Sequence, residues 1–233
     1  MIIAGQAVVL PTETVYGLAA DALNPKAVRS IFKIKQRPSH DPLIVHLAEI
    51  EQVDDIAFAP PILKDLAAAF WPGPLTVVLK KKAIVPDIVT SGLPTVGIRI
   101  PAHPLFRKIL KAVDRPLAAP SANPFGYVSP TQAEHVTDSF DTSCPMVLDG
   151  GPTDHGIEST ILSLADPESP VILRSGPLSA KDLTTILGVP LSIRSLVDNS
   201  RPLAPGSMKR HYSPKVSLKL HPDTASIQRE IQT

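Results

Sequence analysis

Proline is the residue that most constrains this chain, with 26 prolines among 233 residues, about twice the usual level of roughly 5%. A proline disrupts a helix interior and removes a hydrogen bond from a strand, so it is tolerated mainly in turns and in the first turn of a helix. The prolines are scattered among apolar segments rather than clustered. They therefore predict a folded chain of short strands and short helices joined by rigid turns.

The hydrophobic pattern is that of an α/β protein, in which short Val- and Ile-rich segments alternate with segments of helical spacing. It predicts strands at Ala7–Leu10, Leu43–Leu47, Leu75–Lys80, Val96–Ile100, Met146–Leu148, Thr160–Leu164 and Val171–Leu173. Helices are predicted to begin after Asn24-Pro25, at Pro61, at Pro104, at Pro130 and at Ser179. Residues 198–214 are rich in Pro, Ser and Arg without periodicity, which indicates a linker or lid.

The composition excludes several classes of protein. Hydrophobic residues at 43% and charged residues at 19% are typical of a globular protein, and the net charge of +1 argues against a uniformly basic nucleic-acid coat. Cys144 is the only cysteine, so no intramolecular disulfide can form. The first residues lack a secretory signal pattern, and the longest uncharged run, 116–133, contains too many prolines and polar residues to span a membrane. We expect a cytoplasmic protein.

The common catalytic and nucleotide-binding motifs are absent. The sequence contains no GxxxxGK[ST] or GxGxxG phosphate loop, and no GxSxG or HExxH motif. Cys and His spacings that suit zinc are missing as well. A nucleotide, if bound, must therefore be held by other groups.

Polar residues in the first half of the chain offer three weak signals. PTETVYGLAAD, residues 11–21, places hydroxyls in a turn after the first strand, although a simple turn explains it on local grounds. Lys33, Lys35 and Arg37 run into Pro38 and suit a polyphosphate, or form a solvated helix end. His46 lies within the apolar run LIVHL, where a core histidine is the more common interpretation.

Further signals come from strand ends and loops. Arg99 lies in an alternating strand and needs an anionic partner, either a ligand or an internal Asp or Glu. Ser121, Asn123 and Ser129 lie in a loop of small and hydroxyl residues suited to an anion, although Ser129 also reads as a helix cap. GIESTI places Glu158, Ser159 and Thr160 at the start of a strand, and VILRSG places Arg174 at the end of one; polar residues at strand ends are frequent in ligand sites. Without a nucleophile–base pair, this set indicates binding and charge stabilisation of anionic substrates.

The order of these motifs is more specific than any one of them. PTETVYGLAADA, KQRP with PLIVH, WPGPLT, TVGIRIP, PSAN with SPT, GIESTI and LRSG follow one another over roughly residues 5 to 190, and this order resembles the YrdC-like threonylcarbamoyl-AMP synthase family. The resemblance implies a twisted mixed sheet flanked by helices around a positively lined cavity. It also implies a nucleotidyltransferase that joins L-threonine, bicarbonate or CO₂, and ATP into threonylcarbamoyl-AMP and pyrophosphate, for threonylcarbamoyl modification of a tRNA adenosine.

The resemblance also implies the roles of individual residues. The residues that would contact the ATP phosphates and take part in catalysis are Lys35, Arg37, Ser121 and Asn123. The rest of the ATP pocket would be formed by Thr95, Ser129, Arg174 and Tyr212. Threonine would be bound by Thr14, His46, Arg99 and Ser159. Two alternatives stay open, namely Thr12 in place of Thr14 and Lys33 in place of Lys35. Mg²⁺ is expected to arrive with ATP and to be held mostly by phosphates and water, because no acidic cluster marks a metal cage.

The same resemblance suggests the domain organisation and the partners. Residues 1–195 would form the catalytic domain, 196–214 a linker or lid that includes Tyr212, and 215–233 a remnant or the start of a C-terminal segment. RPLAPGSMKRHYSP resembles the linker of longer, two-domain members, so we expect their C-terminal domain to be cut off or missing here. Downstream partners would be proteins that transfer the threonylcarbamoyl group to tRNA, with at most weak tRNA contact by this chain.

Two other functions stay open on the sequence. One is an RNA- or tRNA-binding module without chemistry, although the near-neutral charge and the 4% aromatic content argue against it. The other is a carbamoyl-transfer enzyme of related fold that uses carbamoyl phosphate. The zinc fingers and the acylphosphatase segment expected of its longer relatives are absent from this sequence.

Overall fold

The computed structural model describes residues 1–140, 143–193, 205, 213, 221–224 and 227. Within them lie ten strands: β1 Val8–Leu10, β2 Gly17–Asp21, β3 Ile44–His46, β4 Ala57–Phe58, β5 Leu75–Lys81, β6 Thr95–Arg99, β7 Leu117–Ala118, β8 Thr160–Ser163, β9 Val171–Arg174 and β10 Ser192–Ile193. The helices are α1 Pro25–Lys35, α2 Val53–Ile56, α3 Leu63–Phe70, α4 Asp87–Thr90, α5 Pro104–Val113, α6 Ala133–Phe140 and α7 Ala180–Leu187, with 3₁₀ turns at Ile2–Ala4 and Ile50–Gln52.

The strands form one mixed sheet in the order β1-β2-β7-β3-β6-β5-β8-β9-β10, with β4 paired to β5. The pairs β3–β6, β5–β8 and β9–β10 are parallel and the others are antiparallel. The predicted α/β fold with a twisted mixed sheet flanked by helices is therefore confirmed. The parallel register of β3 and β6 places His46 beside Arg99, so two predicted site residues meet at one end of the sheet.

Helix α1 shows how the sequence sets the position of a site residue. The Asn24 side chain accepts hydrogen bonds from the backbone N–H groups of Lys26 and Ala27, and Pro25 occupies the first turn, where its missing N–H has no partner to lose. The helix ends at Gln36, whose φ of 51° is left-handed. Helical spacing turns Lys35 into the protein and leaves Lys33 exposed.

Some predicted elements differ from those observed. Strand β2 falls within the segment interpreted as a turn, because Gly and Ala have low strand propensity and all five residues are buried, which removes any alternation. Residues 146–148 pair with β1 only through an isolated bridge between Val9 and Val147, not as a strand. Helices α3 and α6 begin at Leu63 and Ala133, two or three residues after the prolines that predict them.

The structure describes only a few residues of the predicted linker and C-terminal segment. Of residues 196–233, the described part comprises 205, 213, 221–224 and 227, so the predicted linker, the lid with Tyr212 and the C-terminal remnant lie mostly outside the described residues and stay predictions. None of the helices in the described ranges combines the length and the apolar character that crossing a bilayer requires.

Candidate active site

A cavity of about 50 Å³ opens where several strand ends meet the turn 11–17 and the loop 118–131. Eight residues named as candidates on sequence grounds line it: Thr12, Thr14, Arg37, His46, Arg99, Ser121, Ser159 and Arg174. The carboxylate residue Glu158 also lines the cavity, as do the apolar residues Ala119 and Pro205. Arg37 and Ser121, 84 residues apart in sequence, thus share one hollow.

Arg99 has the internal acidic partner that sequence analysis left open. Its Nη2 lies 2.6 Å from Glu13 Oε1, and both side chains are about 5% exposed. Burial would raise the pKa of the Glu13 carboxyl, but the charge and the hydrogen bond of Arg99 outweigh burial and hold that pKa below its usual value. Arg99 Nε donates to the carbonyl of Gly73 at 3.1 Å. The guanidinium is therefore fixed before any ligand arrives.

Thr12 and Thr14 have different tasks. Thr12 Oγ1 donates to the carbonyl of Val15 at 2.7 Å and accepts from two backbone N–H groups, so it stabilises the turn. The hydroxyls of Thr12 and Thr14 also contact each other at 2.8 Å. Thr14 Oγ1 accepts from Arg99 Nη1 at 2.9 Å. Thr14 is thus the hydroxyl tied to the cationic end of the cavity.

His46 is a neutral imidazole in this site. Its pKa falls to about 3 because burial and the nearby charge of Arg99 disfavour the imidazolium. The ring stacks on Phe106 with centroids 5.2 Å apart. Nδ1 is buried and has no hydrogen-bond partner among the described residues. His46 can therefore offer a hydrogen bond to a ligand but no positive charge.

Arg37 and Ser121 also line the cavity. Arg37 Nη2 lies 2.9 Å from Asp41 Oδ2, and Nε and Nη2 donate to the carbonyls of Asp41 and Pro42. Its guanidinium also lies over the ring of Phe125, 5.8 Å from the centroid. Burial lowers the pKa of Arg37, with Asp41 opposing the shift. Arg37 is as firmly held as Arg99.

Lys35 lies behind the cavity wall rather than in its lining. Its Nζ donates to the carbonyls of Ser121 and Asn123, both at 2.5 Å, and lies 3.5 Å from Asn123 Oδ1. Burial, together with the charge of Arg37, holds the pKa of the Lys35 ammonium well below its usual value. Asn123 Nδ2 in turn donates to the carbonyls of Pro124 and Tyr127. Lys35 and Asn123 therefore fix the loop that presents Ser121.

Arg174 links the strand ends to the chain beyond residue 200. Its Nε and Nη2 donate to the carbonyl of Ser159 at 3.1 and 3.0 Å, and Nη1 donates to the carbonyl of Pro205 at 3.1 Å. The Ser159 hydroxyl lies 2.7 Å from Thr76 Oγ1 and accepts from Arg174. Burial lowers the pKa of Arg174 to about 10.

Three other candidates are placed less centrally. Ser129 Oγ donates to Glu158 Oε1 at 2.5 Å, next to the cavity. Thr95 lines a separate hollow of about 10 Å³ that shares Pro205 with the main cavity. Tyr212 lies outside the described residues.

Sequence reasoning gave no role to Glu13 or Asp41, and it named Glu158 only as a polar residue at the start of a strand. The available signal was the burial of cations, because each buried guanidinium requires a nearby anion. With three arginines and one carboxylate in the lining, and Glu13 and Asp41 paired to two of those arginines, the cavity is less positive than its arginine count indicates.

A second concavity lies on another part of the surface. This α3 groove, of about 860 Å³, runs between the 3₁₀ turn Ile50–Gln52, helix α3 and Arg107 of α5. None of the predicted site residues lines it. Two of its lining residues are neighbours of the Arg99 site: Ile100 follows Arg99 in sequence, and Pro72 precedes Gly73, whose carbonyl accepts from Arg99.

Comparison with known proteins places this geometry in a family. The Sua5/YciO/YrdC family model, described as "Telomere recombination", matches residues 1–176. Two similar proteins are the threonylcarbamoyl-AMP synthases of Pyrococcus abyssi and Bacillus subtilis, with sequence identities of 43% and 46%. Each alignment covers 92% of this chain, and it covers 64% and 63%, respectively, of the lengths of these relatives. The crystal structure of P. abyssi Sua5 complexed with L-threonine superposes with a TM-score of 0.91 at 41% identity, covering 99% of this chain and 68% of that one. The chain therefore belongs to the Sua5/YciO/YrdC family.

Proposed function

We propose that this chain forms L-threonylcarbamoyl-AMP and pyrophosphate from L-threonine, bicarbonate or CO₂, and ATP. The observation that carries the proposal is the meeting of a fixed guanidinium, a neutral histidine and several hydroxyls in one buried cavity. The relatives named threonylcarbamoyl-AMP synthase, and the Sua5 structure that holds L-threonine, support the same substrates for this chain.

Threonine is proposed to bind among Thr14, His46, Arg99 and Ser159. Arg99 uses one edge for Glu13 and Thr14, and each Nη atom carries a second proton that can be donated to a carboxylate. The Nδ1 atom of His46 has no hydrogen-bond partner in the described part of the chain and suits the threonine hydroxyl or amine. Because the Arg99 guanidinium is already held in place, little conformational entropy is lost when it binds the ligand.

ATP is proposed to bind on the side of Arg37, Ser121 and Arg174. Arg37 contributes charge near the phosphates and Ser121 a hydroxyl, while Lys35 and Asn123 act behind them by holding the loop. Thr95, Ser129 and Tyr212 remain proposed for the rest of the ATP pocket. Mg²⁺, when bound with ATP, would neutralise phosphate charge.

The proposed reaction needs orientation and charge stabilisation more than acid–base chemistry. The neutral amine of threonine adds to CO₂ to give a carbamate and releases one proton to water. A carbamate oxygen then forms a bond to the α-phosphorus of ATP. The bond from that phosphorus to the bridging oxygen breaks, and pyrophosphate leaves with the electron pair. The reactants are anions, so guanidiniums that are fixed in advance lower the barrier without reorganising during the reaction.

The reactants require more room than the cavity provides. A cavity of about 50 Å³ holds a few waters, whereas sites for ligands of nucleotide size span roughly 300–1,000 Å³. Widening is proposed to occur on the side of Pro205, where one hydrogen bond to Arg174 closes the wall. A second described point of contact, Ser213 N–H to the carbonyl of Gly126 at 2.9 Å, supports the proposed lid over 201–214.

The wider setting is also a proposal. We place the chain in the cytoplasm, where its one cysteine, Cys144, would stay reduced. Its product, a mixed anhydride, would be consumed by proteins that transfer the threonylcarbamoyl group to an adenosine in tRNA.

The test is to incubate the chain with ATP, threonine and bicarbonate and to measure the adenylate and pyrophosphate. We expect both products in equal amounts, and neither when threonine or bicarbonate is omitted. Ser121→Ala should lower the rate by roughly 10-fold, as for a lost hydrogen bond to a charged group, whereas Ser139→Ala in helix α6 should not change it. Pyrophosphate release that does not depend on threonine would contradict the proposal.

A further inference from the structure

One carboxylate of the cavity lining, Glu158, has a hydrogen bond to only one of its two oxygens among the described residues. Glu158 is 8% exposed, and its Oε1 accepts a short hydrogen bond of 2.5 Å from Ser129 Oγ. Its Oε2 is buried and has no hydrogen-bond donor among the described residues. A buried carboxylate oxygen without a donor is unfavourable and rare in a native structure. It indicates a cationic or proton-donating ligand.

The two cationic side chains near Glu158, Arg174 and Lys35, donate their hydrogen bonds to other groups. Arg174 directs its N–H groups to Ser159 and to the carbonyl of Pro205, and Lys35 donates to the loop carbonyls of Ser121 and Asn123. Both are close enough for the charge of Glu158 to act on them, yet neither forms a hydrogen bond with its free oxygen.

The backbone of Glu158 is held in place, so its carboxylate is poorly able to turn away. A Cβ at Gly176 would stand 2.6 Å from the carbonyl oxygen of Glu158 and 2.4 Å from the nitrogen of Thr160, which shows how closely the two chain segments pack. The bond from Ser129 fixes the other carboxylate oxygen. Close packing therefore holds the backbone of Glu158, a cavity-lining residue, and the hydrogen bond from Ser129 holds its carboxylate.

An anionic side chain in a cavity for a triphosphate would repel the substrate unless a divalent cation joins them. Mg²⁺ is commonly held by one or two carboxylates together with substrate phosphates and water. On the basis of the proposed function, we propose that Glu158 Oε2 is the protein ligand of the Mg²⁺ that accompanies ATP. The neighbours of Glu158 favour the metal over the threonine ammonium, because Ser129, Lys35 and Arg174 all lie on the proposed ATP side.

The test compares the affinity for ATP with Mg²⁺ and with a chelator, in the wild-type chain and in Glu158→Gln. We expect the wild type to prefer the magnesium complex. Glu158→Gln should weaken binding of the magnesium complex at least roughly 10-fold, in line with losses of metal-site partners, and should bind metal-free ATP as tightly or more tightly, because the repelling charge is gone. Glu168→Gln, an exposed carboxylate between β8 and β9, is the matched control.

Three results would overturn the inference. An equal loss for both forms of ATP would make Glu158 a structural residue only. An unchanged preference for the magnesium complex together with weaker threonine binding would assign the carboxylate to the threonine ammonium. A wild-type chain that binds neither form of ATP would overturn the proposed function along with this inference, whereas the first two results leave the proposed function standing.

Discussion

The cavity and the α3 groove are opposite in character. The cavity measures about 50 Å³, and two ion pairs at its walls, Arg99–Glu13 and Arg37–Asp41, have side chains that are 2–6% exposed. The groove measures about 860 Å³, and the ion pair at its edge, Lys111–Glu49, is 57% and 49% exposed. Water screens the charges of the groove but not those of the cavity.

The difference shows that the volume of a concavity does not indicate whether its titratable groups are buried. Burial shifts the pKa of titratable groups in the cavity, as His46 and Arg174 illustrate, and groups with shifted pKa values cluster at functional sites. The ion pair at the edge of the groove, Lys111–Glu49, is about half exposed, so solvent weakens it. We therefore expect substitutions in the cavity to change stability and ligand binding far more than substitutions in the groove.

The largest effect is expected at the Arg99–Glu13 pair. Arg99→Met leaves Glu13 buried without its cation, and removing one partner of such a pair destabilises a protein by about 3–5 kcal/mol. Urea unfolding should show this loss, and Glu13→Gln in the same chain should recover part of it. Lys111→Met breaks the exposed pair and should change the free energy of unfolding by less than about 1 kcal/mol. Equal effects of the two single variants would contradict the comparison.

The outcome at Arg99 also shows what sequence could and could not predict. Its alternating strand indicates burial and hence the need for an anion, but Glu13 is 86 residues away, and no local pattern connects them. The family resemblance assigns Lys35 to the ATP phosphates, and the structure places its ammonium against the carbonyls of Ser121 and Asn123. Helical spacing sets which way Lys35 points, but only the tertiary packing determines what it meets.

Sequence patterns predict an element correctly where the stabilising contacts lie within a few residues of one another. The Asn24-Pro25 cap predicts the start of α1, and Val- and Ile-rich runs predict β5, β6 and β8. Strand β2 was missed because its glycine and alanines gain their stability from β1 and β7, on either side, rather than from their own propensity. The motif order, unlike any single element, carried the information that the family comparison confirmed.

An intermediate effect is expected from the pH dependence of His46. Its pKa is about 3 in the folded chain against 6.5 for an unperturbed histidine, so the folded state binds its proton less readily than the unfolded state. The contribution to stability is fully present above pH 6.5 and is lost as the pH falls towards 3. Between neutral pH and about pH 4.5 the loss amounts to roughly 2–3 kcal/mol.

This part of the pH dependence can be isolated by substitution. His46→Gln removes the titrating group, so the decrease in unfolding free energy over that range should be smaller by the same amount. His40→Gln, at an exposed position, should leave the wild-type decrease unchanged. An unaltered pH profile in His46→Gln would mean that the imidazole is not held neutral by burial.

The smallest effect is expected in the groove, and it is the sharpest test of the comparison. Ala68 lies exposed on α3 and lines the groove, so Ala68→Glu should change the unfolding free energy by no more than about 0.5 kcal/mol and leave threonine and ATP binding as they are. The groove is not remote from the cavity, because the carbonyl of Ile100 accepts from Gly73 N–H and the carbonyl of Gly73 accepts from Arg99. Weaker threonine binding in Ala68→Glu would therefore show that this short path transmits a change, and that the two regions are coupled. Unchanged binding would show that the Glu13–Arg99 pair holds the cavity independently of what fills the groove.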